Sequence, residues 1–194
     1  MDFQSLLNQK KEYLPVEIAF SDGEHVQSFT IKYEDIDWDT YPLQVKKSCN
    51  FLTNCYHGLQ FTDGDLPSTC LHSLICNYTK KYDVILCKGL EKCVYLSKVV
   101  QRPVYDLNLF RCPRLYKANE CKPACFRHQR DDLHCAVRSC LSNANWFKNE
   151  FIEHETARRR IEGRDRVDEI FNCSKLYNQS DVFLFFNFYM NKCI

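Results

Sequence analysis

The sequence predicts an α/β domain in which an antiparallel hairpin is followed by a parallel βαβ unit, the mixed sheet being flanked by helices. Two observations carry that reading. A pair of β-rich runs breaks at Asp22-Gly23, and a continuous apolar run near the middle of the chain is followed by helical spacing and then a second short β-run. A third observation, a long cysteine- and proline-rich stretch without periodicity, adds a loop ordered by a metal.

Residues 14–21 (LPVEIAFS) and 26–33 (VQSFTIKY) form the expected hairpin, the second run alternating in character as a half-buried strand does. Residues 43–54 and 67–80 carry looser, helix-like spacing and are separated by Tyr56-His57-Gly58-Leu59. The run 82–87 (YDVILC) lacks alternation, which suits a central strand covered on both faces. Lys88-Gly89 ends it, a helix is expected over 90–100, and 103–107 reads as the strand that completes the βαβ unit. Helical spacing returns over 134–151 through Ala136, Cys140, Ala144, Phe147 and Phe151, and a charged helix is expected to continue to about residue 171. The domain is therefore placed at 1–151, with 152–194 as a charged helix and an aromatic extension, DVFLFFNFYMNKCI, whose composition suits a strand, a docking helix or a segment that binds a protein partner equally.

The composition fits a packed domain: 14 Phe and 11 Tyr stand against only 5 Gly, and 45 % of the residues are hydrophobic. A net charge of +1 supplies no bulk field for a polyanion, so nucleic-acid binding would rest on local patches. The opening residues MDFQSLLNQKKEYLP hold no apolar leader core, and no run approaches the roughly 18 apolar residues of a membrane span. Thirteen cysteines, an odd number without an export signal, point to reduced thiols in an intracellular protein of the cytoplasm or nucleus, with no membrane association.

Between residues 121 and 135 the chain reads CKPACFRHQRDDLHC, so Cys125, His128 and Cys135 offer three zinc-type donors within eleven residues. Zinc takes four such ligands in a tetrahedron, and a close Cys-x2-His pair with a more distant Cys would pin the loop to the following helix. On spacing alone the fourth ligand is open among Cys121, Cys112, His134 and a distant carboxylate.

Three short segments resemble the DEDDh exonuclease branch of the ribonuclease-H superfamily. Residues 14–18 (LPVEI) are similar to that family's first strand, keeping Glu17 but placing Pro15 where an Asp is expected. Residues 134–139 (HCAVRS) resemble its closing His-x-Ala-x-x-Asp motif, with Ser139 in the Asp position, and Tyr56-His57-Gly58 is similar to the His-Gly pair that follows its third strand. Glu91 is the carboxylate nearest the position of the middle acidic motif. Two-metal hydrolysis needs several carboxylates to hold cations about 4 Å apart, so Glu17, Glu91 and the general-base candidate His134 are vestigial by this comparison, and exonuclease activity is not expected.

Loss of those carboxylates with gain of Cys-x2-His…Cys resembles the Maelstrom domain of the piRNA pathway. The resemblance implies a ribonuclease-H-like fold, one structural Zn²⁺ held by Glu17, Cys125, His128 and Cys135, and a catalytically degenerate domain that binds single-stranded RNA in small-RNA or transposon silencing. Lys80, Lys81, Lys88, Lys92 and Lys98, near the expected strand ends, are the candidate nucleic-acid contacts. Arg158 to Arg160 are interleaved with Glu and Asp and read better as an exposed helix laced by ion pairs. The alternative functions are a protein-interaction scaffold of viral or transposon origin and, last, an active nuclease using another residue set.

Overall fold

The sheet starts earlier in the chain than the sequence reading placed it. In the computed structural model, which describes residues 1–113, 128 and 133–152, β1 (Asp2–Leu7) pairs antiparallel with β2 (Tyr13–Ser21), and β2 pairs antiparallel with β3 (Val26–Lys32). The expected hairpin is therefore β2–β3, and the strand before it is an addition. Its DFQSLL buries Asp2, Phe3, Gln4 and Leu6 without a period of two, so the six residues carry no clear strand pattern. Asn8 builds the β1–β2 turn, its side-chain oxygen accepting the amides of Lys10 and Glu12 at 2.8 and 2.9 Å. At the hairpin turn Asp22 does the same for Glu24 and His25, and Gly23 supplies a φ of +93°.

Pro15 sits within β2, a strand with neighbours on both sides, where a missing N–H normally breaks the ladder. The register explains its place. Gln4 pairs with Glu17 but Ser5 pairs with Pro15, so one extra residue, Val16, bulges out immediately before Glu17.

After β3 the chain runs into α1 (Leu43–Phe51), which continues directly as a π-helical turn, Leu52–Tyr56. The short β4 (Leu66–Pro67) adds parallel to β3, and α2 (Leu71–Thr79) follows it. Then come β5 (Leu86–Cys87), α3 (Leu90–Val100) and β6 (Tyr105–Asp106), with β5 and β6 parallel, and later α4 (Ala136–Trp146), which ends in a π-helical turn to Ile152. The helix over 90–100 is where its spacing placed it. The βαβ strands are shorter than expected, two residues each, and they form a separate two-stranded sheet beside the four-stranded order β1-β2-β3-β4. Residues 82–84 do not join the strand: Tyr82 and Asp83 are exposed, and the Tyr82 carbonyl is taken by Arg102. The architecture is thus mixed α/β, built on a mixed four-stranded sheet with helices.

Residues alternate across β2. Ile18, with Phe3 and Ile31, packs against Ile75 of α2 and Leu96 of α3. Ala19 packs against Ala136, Val137 and Cys140 of α4 on the other side. Burial of each of the larger side chains, Phe3, Ile18, Ile31, Ile75 and Leu96, contributes about 1.5–3 kcal/mol of transfer free energy. The chain divides into two compact units, Met1–Glu150 and Phe151–Ile194. Apart from Phe151 and Ile152, the second unit, with the expected charged helix and the aromatic segment, lies outside the described residues.

Gly64 sits where the turn before β4 presses on β3. A Cβ there would lie 2.1 Å from the Ile31 carbonyl carbon and 2.3 Å from the Lys32 nitrogen. Because both are strand backbone, Gly64→Ala is expected to cost about 1–3 kcal/mol, read as a lower urea midpoint at unchanged slope.

Candidate metal centre

Glu17 follows the bulge in β2 and turns its side chain to the α4 side of the sheet, where it is fully buried. A carboxylate in such a place needs partners. Its Oε2 accepts the backbone N–H of Ala136 at 2.6 Å, the first residue of α4, so the negative charge sits on the positive end of that helix. Its Oε1 lies 3.7 Å from Cys135 Sγ and 3.8 Å from His128 Nδ1. Cys135 is the N-cap residue, extended at φ −122° and ψ 132°, and this turns its sulfur back to the sheet.

Glu17, His128 and Cys135 form a buried group whose donor atoms all lie within 4.8 Å of one another. The spacing fits a metal ion: ligand atoms about 2.0–2.3 Å from a tetrahedral centre lie about 3.3–3.8 Å apart. The electrostatics fit as well. Burial opposes a charged His128, but hydrogen bonding to Cys135 and the Glu17 carboxylate outweigh it and raise the ring's pKa. The pocket therefore stabilises positive charge, as a bound cation requires. Carboxylate, imidazole and thiolate together are a borderline-to-soft donor set, unlike the all-oxygen sets of magnesium and calcium.

Of the expected ligands, the structure brings Glu17, His128 and Cys135 together; Cys125, like the alternative Cys121, lies outside the described residues. The other two alternatives are placed elsewhere. Cys112 is buried with its thiol directed to Asn143 Oδ1 at 3.7 Å. His134 stacks its ring on Tyr56, centroids 4.0 Å apart and 15° from parallel, while its N–H donates to the Tyr56 carbonyl at 2.7 Å. Glu91 accepts the Tyr13 hydroxyl proton in the first turn of α3 and is not grouped with Glu17.

The lysines divide. Lys80, Lys81 and Lys98 are exposed. Lys92 is held inward by the Asp2 carboxylate and the Phe3 carbonyl, and Lys88 donates to the carbonyls of Cys112 and Pro113. These two ammonium groups tie segments of the chain together and are not presented to a ligand.

His57 has a larger role than its short motif suggested. It is fully buried, its Nδ1 accepting the Leu59 N–H and its Nε2 donating to the Ser5 carbonyl, both at 3.1 Å. Its own carbonyl hydrogen-bonds His128. The π-helical turn thus links β1 to the metal centre, and Gly58, at φ +76°, lets the chain turn sharply afterwards against Leu133. A His between helix-like spacing and a Gly was the available sequence signal; of its partners only Leu59 is near in sequence, while Ser5 and His128 are distant.

No family model, curated protein or solved structure matches the chain.

Burial, opposed in part by the Ser5 carbonyl, lowers the His57 pKa from 6.5 to about 4. Between those values the unfolded chain takes up a proton that the folded chain refuses, so the stability contributed by neutral His57 is lost as pH falls through that window. NMR titration should show the His57 ring neutral at pH 5, and the slope of unfolding free energy against pH should be positive from about 4 to 6.5. A ring that titrates near 6.5 would contradict this placement.

Proposed function

We propose that this chain is a zinc-stapled, catalytically degenerate relative of ribonuclease-H-like nucleases that binds single-stranded RNA, as in small-RNA or transposon silencing. The observation that carries the reading is the Glu17–His128–Cys135 group: a metal-competent cluster at the carboxylate that the Maelstrom-type resemblance singles out, in place of a multi-carboxylate centre. Cys125 is the fourth ligand in this reading, three residues before His128. The ion is zinc because the set combines thiolate and imidazole, and it is structural because four protein ligands leave no open position for substrate. When bound, it supplies a fixed cross-link and no Lewis-acid step.

The protein's own residues do the rest. Glu17 holds the start of α4, His128 and Cys135 meet its other oxygen, and His57 links His128 to β1. Hydrolysis is disfavoured because Glu17 has one oxygen on the Ala136 amide and Glu91 is engaged by Tyr13 and not grouped with it, so the two do not hold a pair of cations between them. RNA contact falls to the exposed members of the candidate set, Lys80, Lys81 and Lys98.

Elemental analysis should find about one zinc per chain, lost in His128→Ala and Cys135→Ser, with a large fall in melting temperature on chelation. Glu17→Gln should keep the Ala136 hydrogen bond yet weaken metal retention, which separates the carboxylate's ligand role from its helix-capping role. Single-stranded RNA should bind with an affinity that falls as salt rises. A dissociation constant above about 100 μM at moderate salt would remove the RNA reading, and metal-free, fully stable protein would remove the zinc reading.

A further inference from the structure

The exposed side of α1 carries an aromatic side chain that its own core does not explain. Phe51 is 57 % exposed at the helix end, and its ring lies 6.5 Å from Tyr56 at an interplanar angle of 32°. Tyr56 in turn stacks on His134, 4.0 Å away. Three rings therefore form a row that runs from solvent at Phe51 to His134, next to the metal-centre residue Cys135. Burial alone would not place a Phe there, because Val45 and Cys49 supply the buried face of this helix.

The surroundings of the row are basic. Lys47 lies one helical turn, about 5.4 Å, before Phe51 on the same side of α1, and it is exposed. At the other end of the helix Lys11, from the β1–β2 turn, donates to Gln44 at 3.2 Å and brings a second cation to the same element. Residues 43–61 contain no Asp or Glu. Gln44, Asn50 and Asn54 are exposed along this stretch and offer neutral donors and acceptors. An apolar protein partner would need none of the charge, and an acidic peptide would leave the rings unused. Planar rings beside Lys47 and Lys11, on a stretch whose own residues 43–61 carry no carboxylate, match a ligand with flat π-faces and a polyanionic backbone.

We propose that this face is a stacking platform for single-stranded nucleic acid, with a base on the exposed face of Phe51, the Tyr56–His134 pair backing it, and Lys47 and Lys11 holding the neighbouring phosphates. The platform rests on the reading that the domain binds single-stranded RNA and adds the residues that grip it, distinct from Lys80, Lys81 and Lys98. Stacking uses the base face and not the ribose 2′-hydroxyl, so the platform accepts DNA as well as RNA. It is tolerant of sequence because every base has such a face.

The test measures binding of a twelve-nucleotide oligouridylate and a twelve-nucleotide oligothymidylate to full-length protein by fluorescence anisotropy over a salt series. Phe51→Ala should weaken both by about tenfold or more, and Phe51→Trp should restore binding. Lys47→Ala should reduce the slope of log affinity against log salt by about 0.7, one single-strand phosphate contact. The Phe51 and Tyr56 ring protons should move upfield on titration, a signature that loss of a distant charge would not produce. Unchanged thermal melting of the exposed-site variants serves as the folding control.

Wild-type affinity in both Phe51→Ala and Lys47→Ala would overturn the platform while leaving RNA binding intact. Oligothymidylate bound through Phe51 with no oligouridylate binding would keep the platform and overturn the RNA reading. No binding of either strand would overturn both. A dimer in sedimentation that Phe51→Ala converts to monomer, with oligonucleotide affinity unchanged, would assign the face to a second copy of the chain and overturn the platform.

Discussion

A single fully buried carboxylate organises the described domain. Glu17 belongs to the second strand and its tightest partner, the Ala136 amide, belongs to the last described helix, 119 positions along the chain. Leaving that charge unpaired away from water would cost several kcal/mol, so helix and strand are held to one relative position wherever Glu17 stays ionised. The amide is also the positive end of α4, and the helix dipole adds to the hydrogen bond. His128 and Cys135 complete the shell on the carboxylate's other oxygen. His128 and Cys135 are thereby held against β2, the task a metal at this point would perform more firmly.

The same economy governs the other buried carboxylates among the described residues. Asp2 accepts from Lys92 and from the Phe3 amide. Asp106 clips the turn before α3 to the turn after β6, accepting the Gly89 and Asn108 amides, each at 2.9 Å. Each has backbone or lysine partners and a local structural role. A hydrolytic centre would need several of them converging on one point with oxygen atoms to spare, and the only grouping of metal-competent side chains among the described residues is the mixed carboxylate, imidazole and thiol set.

Between the two regions stands the π-helical turn after α1. Its wider winding places Tyr56 outside, stacked on His134, and the next residue, His57, inside, bonded to Ser5 and Leu59. One short segment thus connects the buried Glu17–His128–Cys135 group with the ring row that ends in solvent at Phe51. The backbone that carries the Phe51 and Tyr56 rings is continuous with the backbone that hydrogen-bonds His128.

Local pattern alone determined the hairpin, the helix over 90–100, the helical spacing after residue 134 and the spacing of zinc-type donors, because each depends on residues close in sequence: turn chemistry at Asp22-Gly23, a 3.6-residue period, a Cys-x2-His pair. The additional first strand was less legible, since six residues without a period of two gain their stability from pairing with β2 and not from propensity. The fate of the lysines was not legible at all. Lys88 and Lys92 resemble Lys80 and Lys98 until the carbonyls of Cys112 and Pro113, or the Asp2 carboxylate, come within reach. Glu17 entered the ligand set only through a family resemblance, and its meeting with His128 and Cys135 was decided by the bulge at Val16 and by the return of α4 to the sheet. Contacts made across more than a hundred residues are set by packing of whole elements, and only the tertiary structure holds that information.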